Sequence, residues 1–199
     1  MKQRKKQPVQ TRSAILEAAG SEFSRKGYSG AGLGPIVASA GLTKGALFHH
    51  YPDKRSLAVA WATDSLAAAM ESLWLTPLGG VASLDAFRSL SRARCMELQP
   101  DDATSTLVAI TAETAAADPV LAAALDAVFS AWKSAISSLL ERGKAAGWIH
   151  RSIQPEAEAA FYVAVFSGFT VTTKASPGES VRRTCATALE AYLETLRAQ

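Results

Sequence analysis

Along this chain apolar residues return at spacings of three and four, the period of an amphipathic helix, and no stretch alternates in the period-two manner of a strand. From Thr11 to Lys26 the apolar positions Ile15, Leu16, Ala19 and Phe23 share one helical face, and Gly27 after the Arg25-Lys26 pair is a usual helix stop. A short helix fits Leu33 to Ala40 and ends at Gly41. Thr43 is the N-cap of a second short helix, which Pro52 ends because the residue before a proline avoids helical geometry. Asp53 caps a long helix to about Trp74, with Leu57, Trp61, Met70, Leu73 and Trp74 inward. The run Thr76-Pro77-Leu78-Gly79-Gly80 reads as the clearest break. Ser83 caps a helix to about Leu98, and residues 103–116 form an Ala/Thr-rich helix. Asp118-Pro119 is a strong start signal for a helix that repeats Leu121, Leu125, Phe129, Trp132 and Ile136 and ends near Gly147. Pro155 opens a helix to about Lys174 that is apolar on nearly every side. After Ser176-Pro177-Gly178 a last helix carries Val181, Cys185, Leu189, Tyr192 and Leu196. The pattern predicts an all-α chain of nine helices with no internal repeat.

Composition supports that reading: the 199 residues include 39 alanines against 13 glycines and 8 prolines, and alanine is the best helix former. With 48% hydrophobic and 20% charged residues the chain is expected to fold around a core. Two cysteines, Cys95 and Cys185, suit a reducing cytosol and read as small buried hydrophobes. The basic N-terminus has no apolar segment behind it, and the most apolar window, Ala159 to Val171, is shorter than the roughly 20 residues of a membrane helix. A cytoplasmic protein with no membrane partner is expected.

Charge is where composition changes the picture. The net charge is +3, yet residues 1–60 hold ten Lys/Arg against three acids, +7, and the remainder carries −4. That is the asymmetry expected when one end meets a polyanion; the alternative is a solvated basic face with a ragged terminus. Residues 1–8, with Lys2, Arg4, Lys5 and Lys6, are expected to form a basic flexible arm. Residues 33–51 then give helix, tight turn, helix, pivoting on Ala40-Gly41-Leu42-Thr43. The second helix opens with a small cap, then Lys44, Gly45 and Ala46, so its N-terminal end can approach a surface closely. A recognition helix needs that, because its N-terminal residues reach base edges while neighbours hold phosphates.

Residues 11–57 resemble the DNA-binding domain of the TetR/AcrR family of bacterial transcriptional regulators. The resemblance rests on Ile15-Leu16-Glu17-Ala18-Ala19, Phe23, Gly27-Tyr28, Ile36-Val37, Lys54 and Leu57, and above all on the string Gly41-Leu42-Thr43-Lys44-Gly45-Ala46-Leu47-Phe48-His49-His50-Tyr51. It implies a nine-helix homodimer, in most members a repressor released from a palindromic operator when a small molecule enters the C-terminal domain. It also implies roles. Thr43 and Lys44 contact phosphate and bases, and Gly45 and Ala46 allow close approach. Phe48 packs or touches a thymine methyl. His49, His50 and Tyr51 line the groove and the sugar-phosphate edge, and Lys54 meets a phosphate. Where the family usually has a threonine opening the second helix, this chain has Gly32, which removes one phosphate contact.

The domains expected are an arm (1–8), a helix-turn-helix domain (9–52), a connecting helix (53–75) and a ligand-sensing and dimerisation domain (76–199). Residues 75–199 show no phosphate loop, nucleophile elbow or spaced Cys/His pair, so an enzyme is not expected, nor a cofactor or metal. Adjacent His49 and His50 point about 100° apart on a helix, which does not suit a shared metal. The expected effector is largely apolar, in a pocket of Trp74, Phe87, Met96, Glu113, Phe129, Trp132 and Phe166. The expected dimer face comprises Phe161, Val165, Gly168 and Phe169 with Ala188, Tyr192 and Leu196. A helical protein-interaction module without sequence-specific DNA binding is the alternative.

Overall fold

The computed structural model describes residues 8–198 of the chain. Among the described residues nine helices follow one another: α1 Pro8–Gly30, α2 Leu33–Ser39, α3 Lys44–His50, α4 over residues 54–79, α5 Leu84–Glu97, α6 Ala103–Thr114, α7 Pro119–Ala146, α8 Pro155–Ala175 and α9 Glu179–Glu194. Residues 1–7 of the expected arm lie outside the described residues, and Pro8 opens α1 instead of closing the arm. A proline costs nothing there, because a helix leaves its first N–H groups unpaired in any case.

The capping residues read from sequence act as such. Thr43, Asp53, Ser83 and Asp118 each accept a hydrogen bond from a backbone N–H in the first turn they precede. The break expected at residues 76–80 begins later, since α4 runs through Pro77 to Gly79. Proline normally breaks a helix by removing an N–H and crowding the carbonyl four residues back. Here the preceding stretch Glu71–Leu75 is a wide π turn, as is Trp61–Leu66 earlier in the same helix. The widening shifts pairing away from that carbonyl and admits the ring.

Two cores result. In the head, Ile15, Ala19, Phe23, Ile36, Leu47 and Leu57 are buried where α1, α2 and α3 meet the start of α4. Phe23 packs edge-on against Trp61 at 5.2 Å, which ties this core to α4. In the body, α5 pairs with α9, α7 with α8, and α6 with α1. Trp74, Trp132, Tyr162, Phe166 and Phe87 fill its centre. Helix α7 is long and apolar enough to cross a membrane by length and composition, but its nine buried residues recur on one face directed into the bundle. Past α9 the chain returns beside the α7–α8 connection: His150 N–H donates to Leu196 O at 2.9 Å, and Ile149 bridges Arg197.

Candidate nucleic-acid interface

Helices α2 and α3 are joined by a turn that only glycine makes without strain, with Gly41 at φ 65°. The Leu42 N–H closes it on Val37 O at 3.1 Å. Thr43 Oγ1 accepts from the Ala46 N–H at 3.2 Å and starts α3. Leu47 is fully buried, and this one anchor fixes how α3 rolls on the head. The opposite side is therefore outward: Thr43, Lys44, Gly45, Phe48 and His49 are exposed, and Ala46 and His50 are half-buried. Phe48 is 48% exposed, one of few large apolar side chains left in solvent among the described residues. Gly32 caps α2 with no side-chain hydrogen bond.

Two residues expected at this interface lie elsewhere. Tyr51 is buried, its hydroxyl set beside the Arg12 guanidinium, and burial pushes its pKa up. Extended geometry at residue 51 turns the side chain from the α3 face into the seam where Arg12 pairs with Asp64. Lys54 is drawn inward too. Its ammonium donates to Ser29 O at 3.1 Å and lies 4.9 Å over the Tyr28 ring, and partial burial lowers its pKa.

The residues expected to line a pocket divide in the same way. Trp74, Phe87, Trp132 and Phe166 do come together, but they fill the space with one another. Trp74 lies 4.7 Å from Phe166 and 4.8 Å from Trp132, and Phe87 stacks on Tyr162 at 5.2 Å. Their polar atoms are mostly answered inside the core: Trp74 Nε1 donates to Thr104 Oγ1 at 2.8 Å, and Ser91 meets Tyr162 at 2.9 Å. The buried indole N–H of Trp132 has no acceptor. Met96 and Phe129 are half-buried. Glu113 is not in this core at all: its carboxylate accepts the backbone N–H groups of Tyr28 and Ser29 at 2.7 and 2.6 Å. Open space lies elsewhere, in two larger, more polar clefts and in a mostly apolar groove of about 230 Å³ between α4 and α7, lined by Ala67, Met70, Leu75, Ala124, Val128 and Ala131 with Thr63 and Glu71 at its edge. Helical period shows which side chains point inward, but not which inward side chains leave a gap.

The expected dimer face is also split. Phe161, Gly168 and Ala188 are exposed, and Val165 and Tyr192 half-buried, with Phe161 resting on Tyr192 at 4.8 Å. Phe169 and Leu196 are buried in the protomer's own core. Phe169 packs toward Phe166, and Leu196 lies beyond the end of α9, where the turn folds it back inside. Cys95 is buried, which raises its pKa to about 12 and keeps it a thiol; Cys185 is half-buried on the same 110 Å³ cavity.

Comparison with known proteins draws on both halves. Residues 15–61 match the profile described as bacterial regulatory proteins, tetR family, and residues 84–198 match that of the BetI-type transcriptional repressor, C-terminal. Over 66 residues the chain is 38% identical to the HTH-type transcriptional repressor AcnR of Corynebacterium efficiens, 33% of this chain and 35% of that one. Over 184 residues it is 27% identical to the A-factor receptor protein of Streptomyces griseus, 86% of this chain and 58% of that one. The matches thus span between a third and about three-fifths of these relatives' own lengths. In fold it is similar to a TetR-family regulator from Cytophaga hutchinsonii (TM-score 0.86, 16% identity, 99% and 100% of the two chains). A TetR regulator from Chloroflexus aurantiacus gives a TM-score of 0.84 at 24% identity, covering 96% and 98%. A head with a short outward-facing helix, matched to the first profile, and a helical body, matched over most of its length to the second, make this chain a member of the TetR family of bacterial transcriptional regulators, DNA-binding proteins without enzymatic activity.

Proposed function

We propose that the chain is a ligand-responsive repressor that binds a palindromic operator as a homodimer, in the cytoplasm, and is released by a small, largely apolar molecule. The observation that carries this is the outward face of α3, where Lys44, Phe48 and His49 stand exposed around a close-approach patch at Gly45 and Ala46. Lys44 supplies charge for phosphate or a guanine edge, and Phe48 an apolar contact for a thymine methyl. Residues 9–52 are then the reading unit, α4 the connector, and the remainder the sensor and dimer domain. Two copies meet on α8 and α9 through Phe161, Val165, Gly168, Ala188 and Tyr192, with exposed Ala164 and Val171 in the places first assigned to Phe169 and Leu196. The dimer then presents two α3 helices to successive major grooves, about 34–36 Å apart. An effector in the α4–α7 groove favours a state without that spacing, and its differential affinity for the two states drives release. If it reached the core, the lone Trp132 N–H would select a molecule with one hydrogen-bond acceptor.

Mobility shift with DNA from upstream of the coding sequence tests this. Binding is expected, with log affinity falling steeply as log salt rises. No sequence-specific shift would sink the proposal and leave the interaction module.

A further inference from the structure

Helix α4 is not the only thing that joins head to body. At Gly27 the backbone of α1 turns to φ 71°, ψ 178°, which takes the N–H groups of Tyr28 and Ser29 out of the helix ladder. The two oxygens of Glu113, at the end of α6, accept both. A Cβ on Gly27 would stand 2.8 Å from Glu113 Oε2, so the missing side chain is room for the carboxylate. Lys54 closes the same corner from α4 through Ser29 O and the Tyr28 ring. One residue on, Arg55 Nε donates to Asp118 Oδ2 at 2.8 Å, while Asp118 Oδ1 caps α7 through Val120 and Leu121. Two carboxylates five residues apart, one on each side of the α6–α7 turn, thus hold Arg55 and two backbone donors of the head, with the Lys54 charge nearby.

We propose that the α6–α7 corner, through Glu113 and Asp118, is a joint that sets the orientation of the head on the body, and that Gly27, Lys54 and Arg55 are its positioning residues. This rests on the reading of α3 as the DNA-contacting helix. The head is held by α4 and by the packing of α1 on α6; polar contacts at the far end of α1 add an attachment away from the α4 axis, which fixes the remaining swing and so where α3 points. It also couples α3 to the groove between α4 and α7, because Asp118 begins α7 and Arg55 lies in the first turn of α4. Burial opposes the charge on Glu113, but the hydrogen bonds from Ser29 and Tyr28 and the nearby Lys54 outweigh it and hold the carboxyl below the usual glutamate range, so the joint is charged at neutral pH.

The test compares the full chain with Glu113→Ala, Glu113→Gln and Arg55→Ala. A donor–acceptor dye pair on exposed Ser39 of α2 and Ser138 of α7 reads orientation, and amide exchange at Tyr28 and Ser29 reads the joint itself. Wild type gives one narrow distance distribution. Glu113→Ala broadens it, speeds exchange at both amides, and weakens operator binding about tenfold, the scale of one charge-assisted hydrogen bond. Glu113→Gln keeps an acceptor and recovers part of each effect, and Arg55→Ala broadens the distribution without changing the two amides. A distribution that stays narrow in Glu113→Ala overturns the joint, and so does a broadened one with unchanged operator affinity. If wild type binds no DNA, the functional reading fails instead, while the dye and exchange measurements still decide whether the joint orients the head.

Discussion

The centre of the body and the tip of α3 put their aromatic residues to opposite use. The body seals Trp74, Trp132, Tyr162 and Phe166 into one dry cluster, and the head leaves Phe48 half in water at the tip of α3. A phenylalanine in that position forgoes about half of the roughly 1.5–3 kcal/mol that full burial of a large apolar side chain supplies. The difference separates residues that hold the fold from residues that await a partner. Mutations in the two places should therefore change different observables.

Trp74→Ala should break the comparison on the stability side. It opens a cavity at the centre of the body and strands Thr104, with an expected loss of about 3–5 kcal/mol in urea unfolding. A loss under 1 kcal/mol would mean that the cluster is not the packed centre of the body. Lys44→Ala should do the reverse: operator affinity falls by about 1–3 kcal/mol per site while the melting temperature stays put. Unchanged affinity would remove α3 from the interface. Phe161→Asp, on the proposed dimer face, should shift the protein to monomer in light scattering and weaken operator binding with it; a dimer that persists would put the interface elsewhere. Thr43→Ala removes a cap from a seven-residue helix and should cost about 1 kcal/mol. That loss should be confined to exchange rates in α3, leaving body amides untouched.

The smallest effect expected is a pH response of the head. The amide and hydroxyl of Ser56 donate to Asp53 and hold its carboxyl below the ordinary aspartate range. A lowered carboxyl contributes stability above its unfolded pKa, near 3.9, and loses it as pH falls through the lower folded value. The wild-type melting temperature should thus drop toward that of Asp53→Asn between about pH 4 and pH 2, and be nearly unaffected above pH 5. Parallel curves for the two proteins over that range would show that the cap contributes no charge-dependent stability.

What the sequence disclosed follows the range of the interactions involved. Caps at Thr43, Asp53, Ser83 and Asp118 are local, made within a few residues, and each was legible. The outward face of α3 was legible too, because Leu47 alone among its seven residues is buried. Lys54 and Arg55, two cations opposing the dipole at the start of α4, signalled an anionic partner. Within the protomer Lys54 meets Ser29 O and the Tyr28 ring, and Arg55 meets Asp118. Glu113 was expected in the pocket, and its donors lie 84 and 85 residues away and leave no mark on local spacing. Pro77 misled for a related reason, since the π turn that accommodates it is set by packing along α4 and not by Pro77 itself.

Those wide turns make α4 something other than a rigid rod. Each π turn stores one residue more than a regular turn, and a residue corresponds to about 100° of rotation around the axis. Two such turns stand in series between the head and Thr76. Returning one of them to ordinary winding would therefore change the phase of everything on one side relative to the other by more than a quarter turn, without breaking the helix. The connecting helix is a shaft with two slip points, and its length alone does not fix how the head is clocked against the body.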